Sequence, residues 1–83
     1  MAKRAIRIVV AEDHEIVRQG LIYLLGTIEG LEVVGEAGNG AAALEKVLEL
    51  DPDVALLDVV MPVLDGIEAA RRIREVRPRT EIV

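Results

Sequence analysis

The chain has no cysteine among its 83 residues, so neither a disulfide framework nor a thiolate metal site supplements its core. Aromatic residues are almost absent, Tyr23 standing alone. Burial must therefore rest on Val, Leu, Ile and Ala, within a hydrophobic share of 52%. That is the usual filling of a sheet covered by helices. Positive charge is in deficit, with ten Lys and Arg against fifteen Asp and Glu and a net charge of −5. The balance argues against non-specific binding to a phosphate backbone by this chain itself. The apolar content is nonetheless too high for a disordered acidic chain. No apolar run approaches the ~18–20 residues of a membrane span. The basic start Lys3, Arg4, Arg7 leads into a short strand-like run without a signal-type cleavage site. These absences predict a cytoplasmic protein with no membrane partner, and one small domain or a piece of one.

The order of elements follows from periodicity. Ile6-Arg7-Ile8-Val9-Val10-Ala11 is a nearly continuous β-branched run, the pattern of a strand buried on both faces. From His14 onward, Val17, Leu21, Leu24, Leu25 and Ile28 form one helical stripe, with Glu15, Arg18 and Gln19 off it and Gly30 as its stop. Tyr23 is expected to pack at the margin of that stripe. Leu31 to Ala37 reads as a second strand with one wetter side or an edge position. After the turn Gly38-Asn39-Gly40, Asn39 caps a helix that ends at Leu50, before Asp51-Pro52-Asp53. Val54 to Leu57 is a short strand that delivers Asp58 at its carboxyl end. Asp65 and Glu68 have the spacing of a capping box for a helix through Ile67, Ala70, Ile73 and Val76, which Pro78 ends. Thr80 to Val83 opens a fourth strand. Such alternation predicts an α/β fold, a parallel sheet with helices on its faces and a site at the carboxyl ends of its strands.

Glu12, Asp13 and Asp58 then share one sheet end, although they are far apart in the chain. Hard oxygen donors in that number suit Mg²⁺, and a bound dication removes the conflict between neighbouring like charges. A carboxylate is also a nucleophile toward phosphorus, and Asp58 is the best placed for that role. The competing reading is that strand-end acids are simply solvated loop charges.

At Ala11-Glu12-Asp13-His14, Asp58-Val59-Val60-Met61-Pro62 and Asp65-Gly66, in this order and on these elements, the sequence resembles a response-regulator receiver domain. Asp13 to Leu21 and Val33 to Ala37 look like the NarL/FixJ subgroup. The resemblance implies a flavodoxin-like three-layer fold with strand order 2-1-3-4 and Asp58 as the phosphoacceptor. It implies Mg²⁺ held by Asp13, Asp58 and the backbone carbonyl of Val60, with Glu12 acting through water. Met61, Pro62, Asp65 and Gly66 would shape the loop beside it. The phosphoryl donor would be a sensor histidine kinase, and the module would not be an enzyme in its own right. DNA would be reached only through a C-terminal helix-turn-helix domain that residues 1–83 do not contain. The family's switch Ser or Thr and its phosphate-pairing Lys have no match, since Thr80 precedes the fourth strand's core, at its wrong end, and Lys3 and Lys46 sit on the wrong elements. The expectation is thus the N-terminal portion of a receiver, without the fifth strand and last two helices. The uncovered surface would favour self-association, and the alternative function is a scaffold or interaction unit without signalling.

Other signals have simpler explanations. Gly38-Asn39-Gly40-Ala41-Ala42-Ala43 fits a dinucleotide fingerprint, but it follows the second strand rather than the first and leaves Glu12 and Asp13 unexplained. His14 reads as part of a helix start rather than a ligand. Arg71, Arg72, Arg74, Arg77 and Arg79, interleaved with Glu68, Glu75 and Glu81, read as a solvated helix face. A phosphatase with a strand-end Asp nucleophile would need a second acid where Val60 stands.

Overall fold

A computed structural model describes residues 5–58, 61 and 64–83. Strands β1 (Ile6–Ala11), β2 (Leu31–Ala37), β3 (Val54–Leu57) and β4 (Glu81–Ile82) alternate with helices α1 (Glu15–Gly26), α2 (Gly40–Leu50) and α3 (Gly66–Val76). All pairings are parallel, in the order β2-β1-β3-β4. The chain therefore has the expected flavodoxin-like arrangement. Right-handed crossovers fix where the helices lie. The step from β1 to β2 runs one way across the sheet and the later steps run the other way, so α1 covers one face while α2 and α3 share the opposite one.

Position in the sheet explains the burial. Central β1 is buried from Ile8 to Ala11, whereas edge strand β2 keeps Glu32 and Glu36 exposed. A register shift between Ile8 and Val9 accommodates one extra residue in β2, pairing Ile8 with Val33 and Val9 with Gly35. Beyond it Ala11 lies opposite both Ala37 and Leu57, which brings the ends of three strands level.

The core on the α2 and α3 face has two parts. Val47, Ala55 and Ile73 are fully buried and join α2, β3 and α3. Ala11, Ala37, Ala43 and Met61 form the second part, directly beneath the carboxyl ends of the strands. Alanine here lets α2 come close to the sheet. The approach is closest at Gly40, where an added Cβ would stand 1.7 Å from the Leu64 carbonyl oxygen.

The caps follow the sequence. The Asn39 side chain accepts from the Ala42 N–H at 2.8 Å, and the Asp65 side chain from the Glu68 N–H at 2.8 Å. Glu68 turns toward Arg71 and Arg72 instead of back to the cap, so these residues use half of the expected capping box. The carbonyl end of α2 receives Arg7, which donates to Leu50, and Arg77, which donates to Leu48.

Helix α1 departs from expectation. It ends at Gly26, four residues before the predicted stop, because the Thr27 N–H and hydroxyl both bond the Leu24 carbonyl and tighten the last turn. None of its residues is buried, and Leu24 stays 61% exposed. Tyr23, expected at a packed margin, is 74% exposed. The stripe marks which side chains share a face; among the described residues α1 packs chiefly against β1 and β2, with Leu21, Ile22 and Leu25 half-buried and Val17 and Leu24 left open.

Candidate functional site

The ladder continues one residue past the strands. The Glu12 N–H donates to the Ala37 carbonyl at 3.0 Å and the Asp58 N–H to the Ala11 carbonyl at 3.0 Å. Glu12 and Asp58 therefore leave adjacent strand ends side by side. One ligating atom from each of Glu12, Asp13, His14 and Asp58 lies within 4.8 Å of the others. The three acids named from the sequence are thus brought together.

His14 is the addition. It occupies the N-cap position of α1 with extended backbone, as a helix start should, yet its side chain caps nothing. Its Nδ1 lies 3.0 Å from Glu12 Oε2 and 3.1 Å from Asp13 Oδ1. Two carboxylates outcompete a helix N–H as partners for an imidazole, because a charge-assisted bond is the stronger one. The hydrogen bond to Glu12, followed by the charges of Asp13 and Glu12, raises the His14 pKa above its usual 6.5.

The carboxylates fit a hard dication by their chemistry and by one unmet need. Asp13 Oδ1 is buried without a hydrogen-bond partner, despite its closeness to His14. A buried carboxylate oxygen is costly to leave unpaired. Glu12, Asp13 and Asp58 are the carboxylates that could hold such an ion. Val60 and Pro62, expected to complete the metal site and to shape its loop, lie outside the described residues. Met61 is buried among Ala11, Ala37 and Ala43. Asp65 caps α3, and buried Gly66 opens it. A groove of about 280 Å³ adjoins Asp58 between α3 and β4, lined by Leu57, Gly66, Ile67, Ala70, Arg74 and Ile82.

Arg18, off the apolar stripe of α1, also reaches the site. Its side chain is only 15% exposed and donates from Nη1 to the Glu12 carbonyl at 2.9 Å. The i,i+4 spacing from His14 is the available signal, since it puts both side chains on one face of α1 beside the acidic loop.

Residues 8–83 match the response regulator receiver domain family. The chain belongs to that family. This receiver is 45% identical over 78 residues to the response regulator GacA of Pseudomonas viridiflava, covering 94% of this chain and 36% of that protein. It is 42% identical to the response regulator VraR of Staphylococcus epidermidis, covering 95% of this chain and 38% of that protein. It thus spans little more than a third of these curated relatives. Among solved structures, the signal receiver domain of NarL from Mycobacterium tuberculosis superposes with a TM-score of 0.92 at 41% identity, covering 96% of this chain and 64% of that one. The receiver's four-stranded parallel sheet and three helices are those of the family's flavodoxin-like fold. No helix among the described residues is long and apolar enough to cross a membrane.

Proposed function

We propose that this receiver is a phosphoacceptor of two-component signalling, in which Asp58 takes a phosphoryl group from a sensor histidine kinase. The observation that carries the reading is the convergence of Glu12, Asp13 and Asp58 around a buried, unpartnered Asp13 Oδ1. Asp13, Asp58 and the Val60 carbonyl would hold Mg²⁺, with Glu12 acting through water. When bound, the ion would neutralise charge on the phosphoryl oxygens during in-line transfer. The chain's own part is to present the nucleophile. An Asp58 carboxylate oxygen forms the new O–P bond as the N–P bond to the kinase histidine breaks, and the histidine nitrogen keeps the electron pair. Met61 and the Asp65-capped start of α3 would set the floor beside Asp58, with Pro62 and Gly66 completing the loop.

We infer that residues 1–83 are the N-terminal portion of a receiver in a cytoplasmic regulator that acts on transcription through a helix-turn-helix domain. What supports that wider role is the company of GacA, VraR and the RcsB response regulator, the last solved in complex with DNA. The module is not an enzyme toward other molecules, and self-association through its apolar surfaces is part of the reading. The scaffold alternative has no comparable support, because a pure interaction unit gives no reason to gather these acids.

The test is labelling by acetyl phosphate with and without Mg²⁺, beside Asp58→Asn. Mg²⁺-dependent incorporation that disappears in Asp58→Asn is expected. Incorporation of equal extent in Asp58→Asn, or none in either protein, refutes the proposal.

A further inference from the structure

Arg18 lies outside the acidic cluster but ties it to the sheet. Its Nη1 donates to the Glu12 carbonyl at 2.9 Å, while its Nε donates to Glu36 Oε1 on β2 at 2.8 Å. Gln19 Nε2 donates to the same Glu36 oxygen at 2.8 Å. The guanidinium passes beside Gly38, where an added Cβ would come within 3.4 Å of Nη1. Each polar group of Glu12 is thereby engaged: the N–H by Ala37, the carbonyl by Arg18 and the carboxylate by His14. That carbonyl belongs to the planar peptide joining Glu12 to Asp13. Whatever fixes the plane fixes the direction in which Asp13 leaves the strand.

We infer that Arg18 is a positioning residue for the metal-binding acids, holding the Glu12–Asp13 peptide against β2 through Glu36 so that the Asp13 carboxylate faces Asp58. The inference rests on the Mg²⁺ reading above and deepens it. Two effects of the side chain oppose each other, and their signs separate them. As a charge, the guanidinium repels a dication, so its removal would tighten Mg²⁺ binding, by a factor that screening keeps small. As a brace, it keeps the donors converged, and losing such an outer partner typically weakens metal binding by ~10–100-fold. The larger effect is the brace.

Calorimetric titration of the chain with Mg²⁺, paired with amide NMR spectra of the metal-free protein, tests this. Arg18→Ala is expected to weaken Mg²⁺ binding at least ~10-fold and to shift the Asp13 and His14 amides, while those of buried Val47 and Ile73 stay in place. Arg18→Lys keeps the charge and a donor able to reach the carbonyl, and recovers most of the loss. Should Arg18→Ala fail to fold, Glu36→Ala carries the test, because it removes the anchor and is expected to weaken binding severalfold. Unchanged or tighter binding in the variants overturns the inference, as do unmoved Asp13 and His14 amides or a Lys variant as weak as Ala. If the unsubstituted chain takes up no Mg²⁺, the parent reading falls and this one with it. Normal uptake there with an insensitive Arg18→Ala overturns the positioning role alone.

Discussion

Gly40→Ala tests whether the packing under the site is as close as the geometry requires. A Cβ at this position would stand 1.7 Å from the Leu64 carbonyl oxygen, 2.5 Å from its carbon and 2.9 Å from the Leu64 Cβ. Non-bonded contact needs ~3.3–3.6 Å, so backbone must retreat by ~1.6–1.9 Å, and no rotamer change relieves it. Overpacking of this kind costs ~1–3 kcal/mol or more when main chain has to move. Alanine's helix propensity returns at most ~1 kcal/mol and less at a first helical residue. The net expectation is a loss of about 2 kcal/mol, which for a domain of this size lowers Tm by ~8–16 °C. Circular dichroism melts at one fixed protein concentration read this, since self-association would otherwise shift the midpoint. Gly20→Ala is the control, because its Cβ meets nothing within 4 Å in the middle of α1. There the same substitution should stabilise by ~0.5–1 kcal/mol. A Gly40→Ala protein that melts with the parent, or two glycines that shift Tm in the same direction, would refute the reasoning.

Two further outcomes follow from the core and from the exposed face of α3. Ile73 is fully buried where α2, β3 and α3 meet, so Ile73→Val should cost ~0.5–1.5 kcal/mol and Ile73→Ala ~2–5 kcal/mol in urea unfolding, and equal effects would mean the site collapses freely. Glu68 is held at about 2 by hydrogen bonds from Arg71 and then Arg72, against 4.5 for the free carboxyl. Because the folded value is the lower one, its stabilising contribution is fully present above pH 4.5 and is lost as pH falls toward 2. Carboxyl NMR should find that midpoint at low salt and find it higher in Arg71→Ala; a Glu68 midpoint near 4.5 at low salt contradicts the pairing.

Much of this architecture is legible in the sequence where one physical rule acts alone. The β-branched run of β1 marks a strand buried on both faces, and it occupies the second place in the sheet. Given parallel order, the ends of β1 and β3 had to meet, which is why Glu12 and Asp58 can be paired across a long stretch of chain. Asn39 and Asp65 announce their helices because a cap is a local bond. Legibility fails where two partners compete for one group. His14 can serve a helix start or a carboxylate, and only the three-dimensional nearness of Glu12 and Asp13 decides it. Periodicity likewise aligns Val17, Leu21 and Leu24 on one face but does not say how much of the sheet lies beneath them.

The same logic explains how the site is held. Its donors come from two strand ends that the ladder brings together but does not rigidly aim, and each end is secured from a different face. Beside Asp58, Met61 is buried against Ala11 and Ala43, and Leu64 meets α2 at Gly40. On the other face, Arg18 of α1 ties the Glu12 carbonyl to Glu36 of β2. Helix α1 buries none of its residues, so its hold on the sheet near the site depends heavily on these polar contacts. Leu21, Ile22 and Leu25 of α1 are half-buried, and the polar contacts of Arg18 and Gln19 add a second hold where the helix meets the acidic loop. On the proposed Mg²⁺ reading, Arg18→Ala is expected to move metal affinity more than global stability, whereas Gly40→Ala, which drives a Cβ into the Leu64 backbone, is expected to lower stability.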